Sequence, residues 1–116
     1  MTLQECYEQI GGDYDSVMSR LMMESLVRKF ALKFLDDPSY GDLLTAMEAG
    51  NLDDAFRAAH TIKGVSMNLG FDRLSRSITE LSDTLKSGTF EGTGPMLEQV
   101  KEDYAATVDG IRQLDA

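Results

Sequence analysis

Apolar side chains recur at intervals of three and four residues along nearly the whole chain, and the alternation typical of strands is hard to find. This spacing places the apolar residues on one face of a helix, where neighbouring helices can bury them. We expect the resulting stripes of leucine, phenylalanine, methionine and tyrosine to form the core. The pattern therefore predicts an all-α protein.

Two short helices are predicted in residues 1–22. Thr2 and Glu5 have the spacing of a capping box at the start of the first helix, which ends at the glycine pair 11–12. Asp13 is a suitable cap for the second helix. We expect these two helices to be additions to a larger helical unit formed by residues 23–116.

Five further helices are predicted in that larger unit, over residues 23–35, 40–49, 51–69 and 72–86 and from residue 93 onward. Asn51 and Asp72 are the expected caps of the third and fourth of these, and glycines at 50 and 70 are expected stops. Four of the helices are long and amphipathic with short connections, which is typical of an antiparallel up-down four-helix bundle. The helix at 40–49 is assigned to the connectors, and residues 1–116 are treated as a single domain.

The composition limits the partners of this domain. Its 116 residues carry a formal net charge of −9, which repels phosphate backbones and anionic lipid, so we expect neither nucleic acid nor membrane as a partner. No apolar stretch approaches the roughly 20 residues needed to cross a bilayer, and residues 1–10 have no features of a signal peptide. The single cysteine, Cys6, fits a reducing compartment. We therefore expect a cytoplasmic monomer.

His60 is the single histidine of the chain and falls within the predicted helix 51–69. On a helical wheel it lies roughly 120° from the centre of the apolar stripe, toward solvent. Gly64 lies one turn further along the same strip, and Lys63 and Met67 lie between the strip and the core face. A glycine inside a helix costs about 1 kcal/mol relative to alanine, so it needs a reason. From spacing alone, that reason is either close helix packing or function, and His60 is either a surface residue or a functional one.

The stretch HTIKGVSMNLG, residues 60–70, resembles the signature of histidine-containing phosphotransfer (HPt) domains. In that family a phospho-accepting histidine is followed by an aliphatic residue, Lys-Gly, small residues, Asn-Leu-Gly, and a leucine in the next helix, here Leu74. The preceding AFRAAH also resembles the family's approach to the histidine. Val65 and Met67 depart from the pattern, where smaller residues are usual, but neither removes a group that transfer requires.

The resemblance implies a role for each residue of the motif. His60 would accept the phosphoryl group, since imidazole is nucleophilic near neutral pH. Lys63, one turn away, would place positive charge near the phosphoryl oxygens. Gly64 would leave clearance for a docking partner, and Met67 and Asn68 would belong to the docking surface.

The partners implied by the resemblance are receiver domains of response regulators and a hybrid histidine kinase. The receiver would bring the Mg²⁺, and the chain itself would need no cofactor or metal. The sequence has no ATP-binding glycine motif, so we expect a phosphotransfer intermediate of a two-component phosphorelay rather than an autonomous kinase.

Three other functions are compared with the motifs that each would require. A di-metal helical bundle would require Glu-x-x-His motifs, but Arg57 stands three residues before His60 and there is no second histidine. A hydrolase would require a nucleophile motif, and none surrounds a serine or Cys6. An HPt-like binding module that docks and inhibits a kinase or receiver without carrying phosphate is the alternative that remains open.

Overall fold

The structure is a computed structural model that describes residues 1–114, and within this range all regular structure is α-helical. The all-α prediction is therefore confirmed. No helix in the described range is long and apolar enough to cross a membrane. The seven helices are α1 (Leu3–Ile10), α2 (Tyr14–Leu21), α3 (Glu24–Phe34), α4 (Ser39–Ala49), α5 (Leu52–Asn68), α6 (Asp72–Lys86) and α7 (Thr93–Arg112).

The helices begin at caps that the local sequence mostly predicts. Thr2 and Glu5 form both hydrogen bonds of a capping box at the start of α1. The side chains of Asp13 and Asn51 each accept a hydrogen bond from the backbone N–H three residues later. The assignment of Asp72 as the cap of α6 was wrong, because Asp72 is already the first helical residue. There its carboxylate can still interact favourably with the positive end of the helix dipole.

Helix α5 lies between α4 and α6, and α6 packs in turn against α7. Helix α1 packs against α7, whereas α2 contacts α3. The assignment of α4 to the connectors was wrong, because α4 runs along α5 with an interface about as extensive as the one between α5 and α6. Which helices form a four-helix bundle and the division of the chain at residue 23 stay predictions, and the last two residues of the predicted domain lie outside the described range.

Apolar stripes at helical spacing build most of the core, and the stripe of α3 is buried only in part. The whole apolar stripe of α6 is buried, and it comprises Phe71, Leu74, Ile78, Leu81 and Leu85. The rings of Phe34 and Phe71 meet edge to face, with centroids 5.4 Å apart, and so join α3 to the start of α6. Phe30 shares the helical spacing of the buried residues Val27, Ala31 and Phe34 of α3, but its side chain is 36% exposed.

An ion pair between a buried carboxylate and a half-exposed arginine joins α6 to α7. The Arg73 Nε atom donates a hydrogen bond of 2.7 Å to Oδ1 of Asp103, which is almost fully buried. The Gln99 amide donates a second hydrogen bond to the same oxygen at 3.1 Å. Because a buried carboxylate needs hydrogen-bond partners, these two bonds favour the observed register between the two helices.

Candidate functional site

His60 lies on the outer face of α5, as the helical wheel predicts, and its side chain is exposed. The opposite face of α5 is buried through Ala55, Ala59 and Ile62. Because that face is packed against the rest of the protein, the histidine stands on a rigid element. Its ring lies beside Phe56, with centroids 5.6 Å apart and planes tilted by 33°. The arrangement gives a partner access to the imidazole while Phe56 limits its motion on one side.

Lys63 lies one turn beyond His60, on the side that faces α6. Its Nζ atom is 3.6 Å from Oδ1 of Asp83, and the two side chains are 27% and 64% exposed. Side chains of a helix lean toward its N-terminus, so the stem of Lys63 points back toward the level of His60. Asp83 was not predicted, because no local pattern in the sequence shows which residue of α6 lies opposite Lys63.

Gly64 lies on the exposed surface of α5, one turn after His60. A β-carbon built at this position would meet no atom within 4 Å. Close helix packing therefore does not require the glycine, in contrast to Gly110 of α7, where a β-carbon would collide with Ile10. The strip from His60 to Gly64 is open to an approaching partner.

Met67 and Asn68 continue this strip to the end of α5, and the side chain of Met67 is 54% exposed. The Arg20 side chain of α2 donates hydrogen bonds of 3.0–3.1 Å to the backbone carbonyls of both residues. These carbonyls belong to the last turn of the helix, which lacks intrahelical donors, so a cation is well placed there. Arg20 was missed by the sequence analysis, since it is 47 residues away from Met67 along the chain.

The path of the chain after α5 requires Gly70. Its backbone adopts a left-handed conformation with φ of 71°, which favours glycine. A β-carbon there would also lie 2.9 Å from the Asp13 carbonyl oxygen. In turn, the Asp13 N–H donates a hydrogen bond of 2.8 Å to the Gly70 carbonyl. Gly70 is thus both the predicted helix stop and a contact point for the N-terminal helices.

A small cleft of about 240 Å³ adjoins the end of the strip, between α5 and the C-terminal part of α3. Phe30 and Lys33 line it from α3, and Val65 and Asn68 line it from α5. The exposure of Phe30 follows from this position. Together, Phe30 and Met67 give the surface around Asn68 an apolar character that a solvated helix face does not need.

Clustered metal ligands and a reactive thiol are two other kinds of site that the described part of the chain could contain. Between residues 1 and 114 there is no group of three or more histidine, cysteine or acidic residues that could hold a metal ion. The Cys6 thiol is fully buried, and burial raises its pKa. A buried thiol of this kind cannot meet a substrate and is a poor nucleophile.

Comparison with known proteins adds one match. A family model described as the Hpt domain matches residues 37–110, a range that contains α4, α5, α6 and most of α7 together with every predicted site residue. Helices α1, α2 and α3 precede the matched range. The curated proteins yielded no match to the chain, and neither did the solved structures.

Proposed function

The chain belongs to the Hpt domain family, and from this premise we propose that it relays a phosphoryl group between receiver-domain aspartates through phospho-His60. Membership of the family implies histidine phosphotransfer in phosphorelay signalling. The observation that carries the assignment to His60 is its exposed position on a rigid helix, followed one turn later by open surface at Gly64.

The transfer step is a displacement at phosphorus. The lone pair of the outward ring nitrogen of His60 attacks the phosphorus of an aspartyl phosphate on a receiver, and a P–N bond forms while the P–O bond to the carboxylate breaks. The carboxylate leaves with the electron pair, and the other ring nitrogen keeps its proton until water accepts it. The same step in reverse passes the phosphoryl group to the aspartate of a second receiver.

Each surrounding residue contributes to positioning or charge, which are the main requirements of phosphoryl transfer. Lys63 provides positive charge near the phosphoryl oxygens. Gly64 keeps the approach to the imidazole clear. Met67 and Asn68, with Phe30 beside them, form a surface to which a receiver can bind. The Mg²⁺ belongs to the receiver, where it neutralises charge on the transferred group.

We also propose that the helices form an antiparallel four-helix bundle and that the protein is a monomer in the cytoplasm. A hybrid histidine kinase would be the source of the phosphoryl group. The short connections at residues 50–51, 69–71 and 87–92 support antiparallel neighbours from α4 to α7. The net charge of −9 supports a monomer, because like charges oppose self-association.

The function is tested by incubating the protein with receiver domains from the same genome that carry radioactive phosphate on their aspartates. We expect label to pass from at least one receiver to the wild type and onward to a second receiver. His60→Gln should accept none while it keeps its helicity. The binding-module alternative predicts that both proteins bind receivers or inhibit a kinase equally and that neither is labelled.

A further inference from the structure

In the unphosphorylated protein, the positively charged amino group of Lys63 already interacts with a carboxylate. Its amino group lies 3.6 Å from the Asp83 carboxylate, which reaches across from α6. The lysine is therefore held on the α6 side of the histidine rather than extended into solvent. Arg57, the cation one turn before His60, is placed differently, because the side chains of a helix lean toward its N-terminus and that of Arg57 leans away from the histidine.

A phosphoryl group on His60 would weaken the interaction between Lys63 and Asp83. It brings up to two negative charges and three acceptor oxygens to the side of α5 where Lys63 stands. Asp83 and the phosphoryl group would then compete for one amino group. Because Asp83 is 64% exposed, the carboxylate can be rehydrated at little cost when the lysine leaves it.

We propose that Asp83 is a positioning residue that holds Lys63 beside His60 and releases it to the phosphoryl group when the histidine is phosphorylated. This inference rests on the proposed role of His60 as phosphoacceptor. It adds that the lifetime of phosphohistidine is limited by the competition between two acceptors for Lys63. Asp83 thus makes the phosphorylated state easier to discharge.

Removal of the Asp83 carboxylate should lengthen the lifetime of phosphohistidine. In Asp83→Asn the lysine has no carboxylate partner and can remain with the phosphoryl oxygens, so phosphohistidine should hydrolyse more slowly. We expect a lengthening of the lifetime by about twofold to fivefold, the range over which exposed ion pairs act. The effect should shrink at high salt, because exposed charges are screened. Asp83→Glu, which restores the charge, should restore a lifetime near that of the wild type.

The experiment uses phosphoramidate, a small phosphoryl donor that needs no receiver. The lifetime of the phosphohistidine signal is followed by ³¹P NMR in the wild type, Asp83→Asn, Asp83→Glu, Lys63→Met and the double variant that combines Asp83→Asn with Lys63→Met. Glu80→Gln is a matched control, because Glu80 lies one turn before Asp83 on α6 but lines a groove toward α7 with Arg73 and Gln99. This control should keep the wild-type lifetime, and thermal melts should be similar for all six proteins.

The double variant decides the outcome. The proposal predicts that Asp83→Asn lengthens the lifetime when Lys63 is present and has no effect in the Lys63→Met background. An equal effect in both backgrounds would show that Asp83 repels the phosphate directly, and it would overturn the proposal, as would an unchanged lifetime in Asp83→Asn. A wild type that phosphoramidate does not label at His60 would overturn the proposed function, and this inference with it.

Discussion

The Tyr7 hydroxyl donates a hydrogen bond of 2.6 Å to the carbonyl oxygen of Leu69, in the buried space where α1 meets the end of α5. The ring of Tyr7 also packs against Phe71, with centroids 5.9 Å apart. Helix α1 lies outside the range that matches the Hpt family, yet it holds the end of the helix that carries His60. The N-terminal helices therefore contribute to the geometry of the site.

This contact predicts a specific response to alkaline pH. Burial raises the pKa of the Tyr7 hydroxyl far above its usual value of 10.0. Above pH 10 the unfolded chain loses this proton while the folded protein keeps it, so unfolding becomes easier as the pH rises, by up to about 1.4 kcal/mol per pH unit. Below pH 10 the contribution of the hydroxyl to stability is complete.

Tyr7→Phe should lower the free energy of unfolding at pH 7 by about 1–2 kcal/mol, because the buried Leu69 carbonyl loses its donor. The same variant should lose less stability than the wild type between pH 10 and pH 11. Urea denaturation at pH 7, 10 and 11 measures both effects. Parallel losses in the two proteins above pH 10 would show that Tyr7 does not keep its proton in the folded state.

Replacement of Arg20 should destabilise the last turn of α5. Arg20→Gln removes the donors to the Met67 and Asn68 carbonyls and the positive charge near the helix C-terminus, so we expect a loss of about 1 kcal/mol. Amide hydrogen exchange in the last turn of α5 should become faster. Lys29→Gln, an equal change of charge on the exposed side of α3, is the control and should leave that exchange unchanged. Equal exchange rates in wild type and Arg20→Gln would refute the capping role.

Replacement of Gly64 should raise the stability of the domain and lower the rate of phosphoryl transfer. Gly64→Ala should stabilise the free domain by roughly 0.5–1 kcal/mol, because the new methyl group meets open space and alanine is the better helix former. The same change should slow phosphoryl transfer from a receiver, and Gly64→Gln should slow it further. Thermal melts and transfer time courses on the same samples measure both effects.

Two other glycines provide controls for that prediction. Gly41 of α4 also has open space around it, so Gly41→Ala should stabilise the domain without slowing transfer. Gly110→Ala should destabilise it, because the added carbon collides with Ile10. A lower melting temperature for Gly64→Ala, or transfer at the wild-type rate in Gly64→Gln, would contradict the clearance explanation.

Features that depend on neighbours in sequence were predicted well. The bonds of the Thr2–Glu5 capping box and of the Asn51 cap span three residues, so the spacing of residue types already defines them. The exposure of His60 followed from the periodicity of α5 for the same reason. The contacts of Lys63 with Asp83 and of Arg20 with Asn68 depend on the register between helices, which no local pattern specifies.

The wrong assignment of α4 to the connectors also has a physical reason. Its buried residues are Leu43 and Ala46, which give a weak apolar stripe. Ala46 and Ala58 of α5 line the same groove between the two helices, so small side chains contribute to this boundary. Such an interface is extensive although it contains few large apolar residues, so hydrophobic periodicity underestimates it.

The central claim is that His60 carries the phosphate, and the most direct measurement is ³¹P NMR of the protein after incubation with a phosphorylated receiver. The account predicts one phosphoramidate signal in the wild type, stable in base and lost in acid. His60→Gln should give no signal while its melting temperature stays within error of the wild type, because the side chain is exposed. A phosphoramidate signal of equal intensity in folded His60→Gln would contradict this claim.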